Sequence, residues 1–185
     1  MMPAEGRRNL KHPFLPLVEY DLKTCHPYLL TTLFADESER RKYQDLIAAD
    51  IYVEIGKAMG IAERDMVKTD FMRVVNRSDR SLEWLEKQYV FQFFTEQFPR
   101  FTKSVLTVRT DLALSMQNFE AELMVQRVGA SCRSEGLFWV PQHDGWISTV
   151  TDGEIIRGYA DKIVCGAVGF PAKFDWHLLN EAGSI

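Results

Sequence analysis

Apolar positions recur along this chain mostly at helical spacing, with a strand-like pattern near the start and again in the last third. Residues 15–22 form a short apolar run beside Pro13 and Pro16, which reads as a strand entered from a loop, with Asp21 at its end. Thr24 is placed to cap the next helix, over residues 27–35, with Pro27 near its first turn. Over residues 37–59, Tyr43, Leu46, Ile47, Ile51 and Ile55 return every three or four residues, predicting one amphipathic helix that Gly60 ends. A helix over 62–75 carries Arg64, Lys68 and Phe71 at successive turns of one face. An aromatic helix over 82–98 stops at Pro99, and its rings are most simply core or contact residues, with a partner-binding surface as the alternative. The longest helical pattern, 111–133, is closed by Gly136 and has Gln117, Ala121, Leu123, Met124 and Val128 on its candidate inward side. A hairpin over 137–150 follows, turning at His143-Asp144-Gly145, then a helix over 152–164 and an extended tail over 170–177 on the sheet. Strands and helices without repeats or linkers predict one α+β domain.

Composition narrows the class. The chain has 185 residues, 46% of them apolar and 26% charged, enough for one domain with a core of its own. No run approaches a membrane span and the first residues lack the apolar core of a secretory signal, so no membrane partner is expected. Cys25, Cys132 and Cys165 are scattered singletons, which argues against a disulfide framework or zinc site and for a reducing cytoplasm. The net charge of -4 disfavours wholesale nucleic-acid binding, but basic residues cluster at Arg7-Arg8-Lys11, Arg40-Arg41-Lys42, Arg64-Lys68-Arg73-Arg77-Arg80 and Arg127-Arg133.

Taken singly, the polar residues have plain explanations. Asp144-Gly145 is a strong turn signal, Asp21 a possible cap, and Arg64 and Lys68 a solvated helix face. Together, two acidic strand ends and a basic helix face supply what metal-assisted phosphoryl transfer requires: carboxylates for divalent cations and cations for a polyphosphate. A metal phosphohydrolase built on His143-Asp144 would need further histidines, and only His12, His26 and His177 are available.

The order of these pieces resembles the family A (DNA polymerase I-like) polymerases. Val18-Glu-Tyr-Asp-Leu-Lys-Thr-Cys-His-Pro-Tyr-Leu-Leu30 matches their strand ending in Asp before a buried helix. Arg64-Asp-Met-Val-Lys68 matches the Arg-x-x-x-Lys of the fingers helix, Gln117-Asn-Phe-Glu-Ala-Glu-Leu-Met124 the Gln-bearing palm helix, and Val140-Pro-Gln-His-Asp144 the His-Asp hairpin. The resemblance implies a small antiparallel palm sheet with a catalytic hairpin, packed against several helices, and a helical fingers subdomain, with palm at 13–36 and 105–185 and fingers at 37–104. It implies template-directed nucleotidyl transfer, with Asp21 and Asp144 holding Mg²⁺ or Mn²⁺. Lys68 would be catalytic and, with Arg64, Phe71 and His26, nucleotide-binding. Gln117 and His143 would bind primer-template. The partners implied are primer-template nucleic acid, nucleoside triphosphates and a second chain supplying the thumb, since only residues 1–20 precede Asp21. The chain departs from the family at Gly145, where the family has Glu after His-Asp, and at His26, where it has a ribose-excluding Glu; the Tyr-Gly that ends the fingers helix is not visible at Val74-Val75-Asn76-Arg77. A non-catalytic nucleic-acid-binding or replisome subunit on the same scaffold is the alternative, and an all-structural protein a third.

Overall fold

The computed structural model describes residues 10, 12, 15–76 and 81–180; Arg7, Arg8, Lys11, Arg77 and Arg80 of the basic clusters lie outside them. The chain runs through β1 (Leu17–Leu22), α1 (Cys25–Leu30), a 3-10 turn (Thr31–Leu33), α2 (Glu37–Ala49), α3 (Ile51–Met59) and α4 (Arg64–Val75). Next come α5 (Leu82–Glu86), α6 (Tyr89–Gln97), α7 (Pro99–Phe101) with a π turn (Thr102–Leu106), and α8 (Leu112–Ala121). A second π turn (Glu122–Val128) leads into α9 (Gly129–Glu135), β2 (Val140–Pro141), β3 (Gly145–Thr149), α10 (Val150–Val168) and β4 (Phe174–Asn180). The α+β class is as expected. The chain divides into two compact units, Met1–Cys25 with Asn118–Ile185, and His26–Gln117.

The first unit is built on an antiparallel sheet in the order β2-β3-β1-β4. β1 is central, paired on both edges; five of its six residues are buried, and Tyr20 stacks on its ladder partner Trp146 at 5.0 Å. Helix α10 lies against this strand at Gly153, where an added Cβ would fall 2.7 Å from the Tyr20 ring. The Tyr20 hydroxyl donates to Glu154 on the next residue of that helix at 2.7 Å. Thr149 caps α10 by accepting from the Asp152 N–H at 3.2 Å, and Asp152 in turn accepts from the Phe138 N–H at 3.0 Å, tying the hairpin's approach to the helix. The extended tail is found as β4, paired with β1, with His177 Nε2 3.1 Å from the buried carboxylate of Glu19.

The second unit is helical around an aromatic core. Phe34 stacks on Phe101 at 3.9 Å and on Tyr43 at 4.5 Å, while Phe94 and Phe98 pack at 5.4 Å. Burying each such ring contributes roughly 1.5–3 kcal/mol, so Phe91, Phe93, Phe94 and Phe98 serve as core, while Trp84 and Tyr89 are half-buried. Two helices expected as continuous are each broken. Residues 37–59 form α2 and α3 because Asp50 takes φ 91°, outside helical space, while its carboxylate accepts from the Tyr52 N–H at 3.1 Å and starts α3. Residues 82–98 divide into α5 and α6, and the buried carboxylate of Asp70 accepts the Val90 N–H at 3.0 Å in the first turn of α6.

Candidate functional site

Strand pairing in the first unit brings Asp21 and Asp144 to the same end of the sheet. Asp21 lies opposite Gly145 in the β1–β3 ladder, and the next N–H, of Leu22, donates to the Asp144 carbonyl at 2.7 Å. The hairpin is closed by the Gln142 N–H donating to the Gly145 carbonyl at 3.0 Å, which leaves His143 and Asp144 at the turn. Gly145 is dictated by this approach. A Cβ built there would sit 1.7 Å from the Tyr20 carbonyl oxygen and 3.0 Å from the Asp21 Cα. This position therefore has no room for any side chain. On its other side Asp21 faces Asp175 of β4, whose carboxylate lies 3.8 Å from the Lys23 ammonium.

A second cluster surrounds the hairpin. Glu120 of α8 is buried, with its Oε1 3.8 Å from Nδ1 of the more exposed His143. The buried Cys25 thiol is pushed well above its ordinary value, first by burial and then by the carboxylates of Glu120 and Asp144, so these groups share one neighbourhood. A shallow cleft of roughly 230 Å³ beside them is lined by Ala121, Val125, Pro141, Gln142 and His143. Among the described residues, no group of three or more His, Cys, Asp or Glu side chains converges as a metal site. Two half-buried aspartates at one end of the sheet, Asp21 in β1 and Asp144 in the hairpin turn, nevertheless fit the oxygen-donor chemistry of Mg²⁺, which is commonly held by one or two carboxylates, with waters and phosphate oxygens completing its shell.

The remaining candidates belong to the second unit. Arg64 donates from Nε to Asp50 at 3.0 Å and lies 4.9 Å over the Tyr52 ring, so its guanidinium is partly committed to the fold. Lys68, one turn on, is exposed and has no ion pair among the described residues. Phe71 requires correction as a base-stacking surface: it is fully buried, 5.7 Å from Tyr52 and 6.0 Å from Phe94, and its ring is part of the core. His26 is half-buried in the first turn of α1. Gln117 and Ala121 are exposed, contrary to the expected inward side. The buried stripe is instead Leu112, Met116, Glu120, Met124 and Val128, at four-residue steps carried through the second π turn. That stripe is the signal that could have singled out Glu120, an acid at an otherwise apolar period. Asp175 was missed because its significance depends on the β1–β4 register.

No family model matches this sequence, and no curated protein matches it. Among solved structures, the chain is similar to the POL domain of Pol1 from M. smegmatis, in complex with DNA primer-template and dNTP. The TM-score is 0.59 at 13% identity, over 98% of this chain and 43% of that one. The chain thus spans less than half of the structure it matches. At this identity the likeness is one of fold: this chain has a polymerase-like α+β fold.

Proposed function

We propose that this chain is a palm and fingers region of a family A-like polymerase, working in template-directed nucleotidyl transfer, alone or with a second chain that supplies a thumb. The observation that carries this reading is that Asp21 and Asp144 come to the same end of the β1–β3 ladder, with Asp21 opposite Gly145 and Asp144 bonded through its carbonyl to the Leu22 N–H. We assign residues 13–36 and 105–185, which carry the sheet, as palm and the helices of residues 37–104 as fingers. Asp21 and Asp144 hold Mg²⁺ or Mn²⁺, and the bound ion supplies charge stabilisation and a more acidic 3′-hydroxyl. Lys68, exposed and without an ion pair among the described residues, binds the triphosphate and donates a proton to the leaving pyrophosphate; Arg64 adds a second phosphate contact. His143 and Gln117 contact primer-template, and His26 borders the nucleotide sugar.

Primer extension by the full chain on a labelled primer-template with Mg²⁺ or Mn²⁺, beside Asp21→Ala, tests this. Extension by the wild type and none by the variant is expected; equal extension by both overturns the assignment. The lack of room for a carboxylate at Gly145 favours one other reading, a nucleic-acid-binding subunit without turnover. That reading expects primer-template binding unaffected by Asp21→Ala and no extension with either cation.

A further inference from the structure

We propose that Glu120 is the positioning residue of the His143–Asp144 hairpin, holding the imidazole by its Nδ1 edge so that Nε2 is the nitrogen left to accept from nucleic acid. The inference rests on the polymerase reading for its ligand but not for its geometry. A carboxylate at 4% exposure is costly to bury, and this one interrupts an apolar stripe at the point where α8 passes the hairpin. Its Oε1 lies 3.8 Å from His143 Nδ1, within reach of charge attraction and longer than a hydrogen bond. Such contacts are often long without substrate and tighten in the complex. Burial raises the Cys25 thiol and the charges of Glu120 and Asp144 raise it further, so both carboxylates act on the same buried group.

The chemistry follows from the tautomer. A carboxylate beside Nδ1 keeps the proton of the neutral ring there, as carboxylate partners do for histidines whose other nitrogen binds a ligand. Nε2 then presents a lone pair to a hydroxyl or amino donor at the primer end. An exposed imidazole without such a partner prefers its proton on Nε2, where it would repel that donor. With no space for an acid at Gly145, Glu120 is a carboxylate that reaches the hairpin from a different element.

Long-range ¹H–¹⁵N spectra of the labelled full chain, with His143 in its neutral form, provide the test. The wild type is expected to show the proton on Nδ1. Glu120→Met, which keeps the volume and removes the charge, is expected to move it to Nε2 and to slow primer extension roughly 10- to 100-fold. A wild-type proton on Nε2 overturns the proposal whether or not the variant folds, as does an identical signal in Glu120→Met. The spectra need no activity, so failure of the polymerase reading leaves this result interpretable on its own.

Discussion

Gly145 stands across the ladder from Asp21 so closely that the position has no space for a side chain, its nearest neighbour being the carbonyl oxygen of Tyr20. This one relationship links the central strand to the hairpin and brings Asp21 and Asp144 to the same end of the sheet. Because the obstruction is backbone, no rotamer relieves it. Gly145→Ala is expected to lose at least the roughly 1–3 kcal/mol typical of overpacking, read as a lower midpoint in denaturant. Gly145→Glu, with a longer and charged side chain, is expected to be worse. A Gly145→Ala protein as stable as wild type would show that β3 stands further from β1 than described.

Removing either aspartate's charge separates chemistry from folding. Asp144→Asn keeps the size of the side chain and, at a half-buried turn, is expected to leave the melting temperature nearly unchanged while abolishing metal-dependent extension. Lys68→Ala is expected to raise KM for the nucleotide about tenfold, about 1.4 kcal/mol, with primer-template affinity held. An equal loss of both affinities would move Lys68 from the triphosphate to general backbone binding.

Asp50 is the hinge between α2 and α3, and three tasks fall on it. It takes φ 91°, accepts the Tyr52 N–H, and pairs with Arg64 Nε at 3.0 Å. Asp50→Gly meets the backbone requirement but loses the cap and the pair, and is expected to cost about 0.5–1 kcal/mol. Asp50→Ala loses all three and is expected to cost about 1–3 kcal/mol. Thermal unfolding of the two variants side by side decides it. The reverse order would mean that the positive φ of Asp50 costs an alanine less than the lost cap and ion pair do.

Much of the fold was legible because its signals are local. The Asp-Gly turn, the apolar strand before it in space and the Gly-terminated helices all appear near where spacing and turn chemistry place them. What local pattern cannot carry is the break at Asp50, where a non-glycine residue takes positive φ inside a continuous amphipathic period. The inward face of α8 was misread for a related reason: the choice between Met116 and Gln117 is made by tertiary packing, and both fit a helical period. At the candidate site, Asp21, His143 and Asp144 stood out by type and position. Phe71 shared a sequence face with Arg64 and Lys68, but a ring of that size is drawn into the core beside Tyr52 and Phe94. Glu120 was hidden because an acid on an apolar stripe acquires meaning only once the hairpin is folded against it.

Stability of the helical unit should depend on pH with opposite signs at two carboxyls. Burial holds Asp70 above the ordinary carboxylate range, its bond from the Val90 N–H only partly opposing this. A group with a raised folded value stabilises most when protonated: its contribution is complete below the unfolded value and is lost as pH rises through the folded one. Asp70→Asn retains an acceptor for Val90 without the charge. It should gain on the wild type as pH rises past the ordinary carboxylate range, and the gain should vanish in acid. Asp111 runs the other way. Bonds from Arg109 and Ser115 hold it down to about 2, so its contribution is present above the unfolded value and is lost as pH falls toward about 2. Denaturant midpoints for wild type, Asp70→Asn and Asp111→Asn across the acid range read both slopes. An Asp70→Asn curve parallel to wild type from acid to neutral pH would mean that this carboxyl is solvated and not the buried anchor of α6.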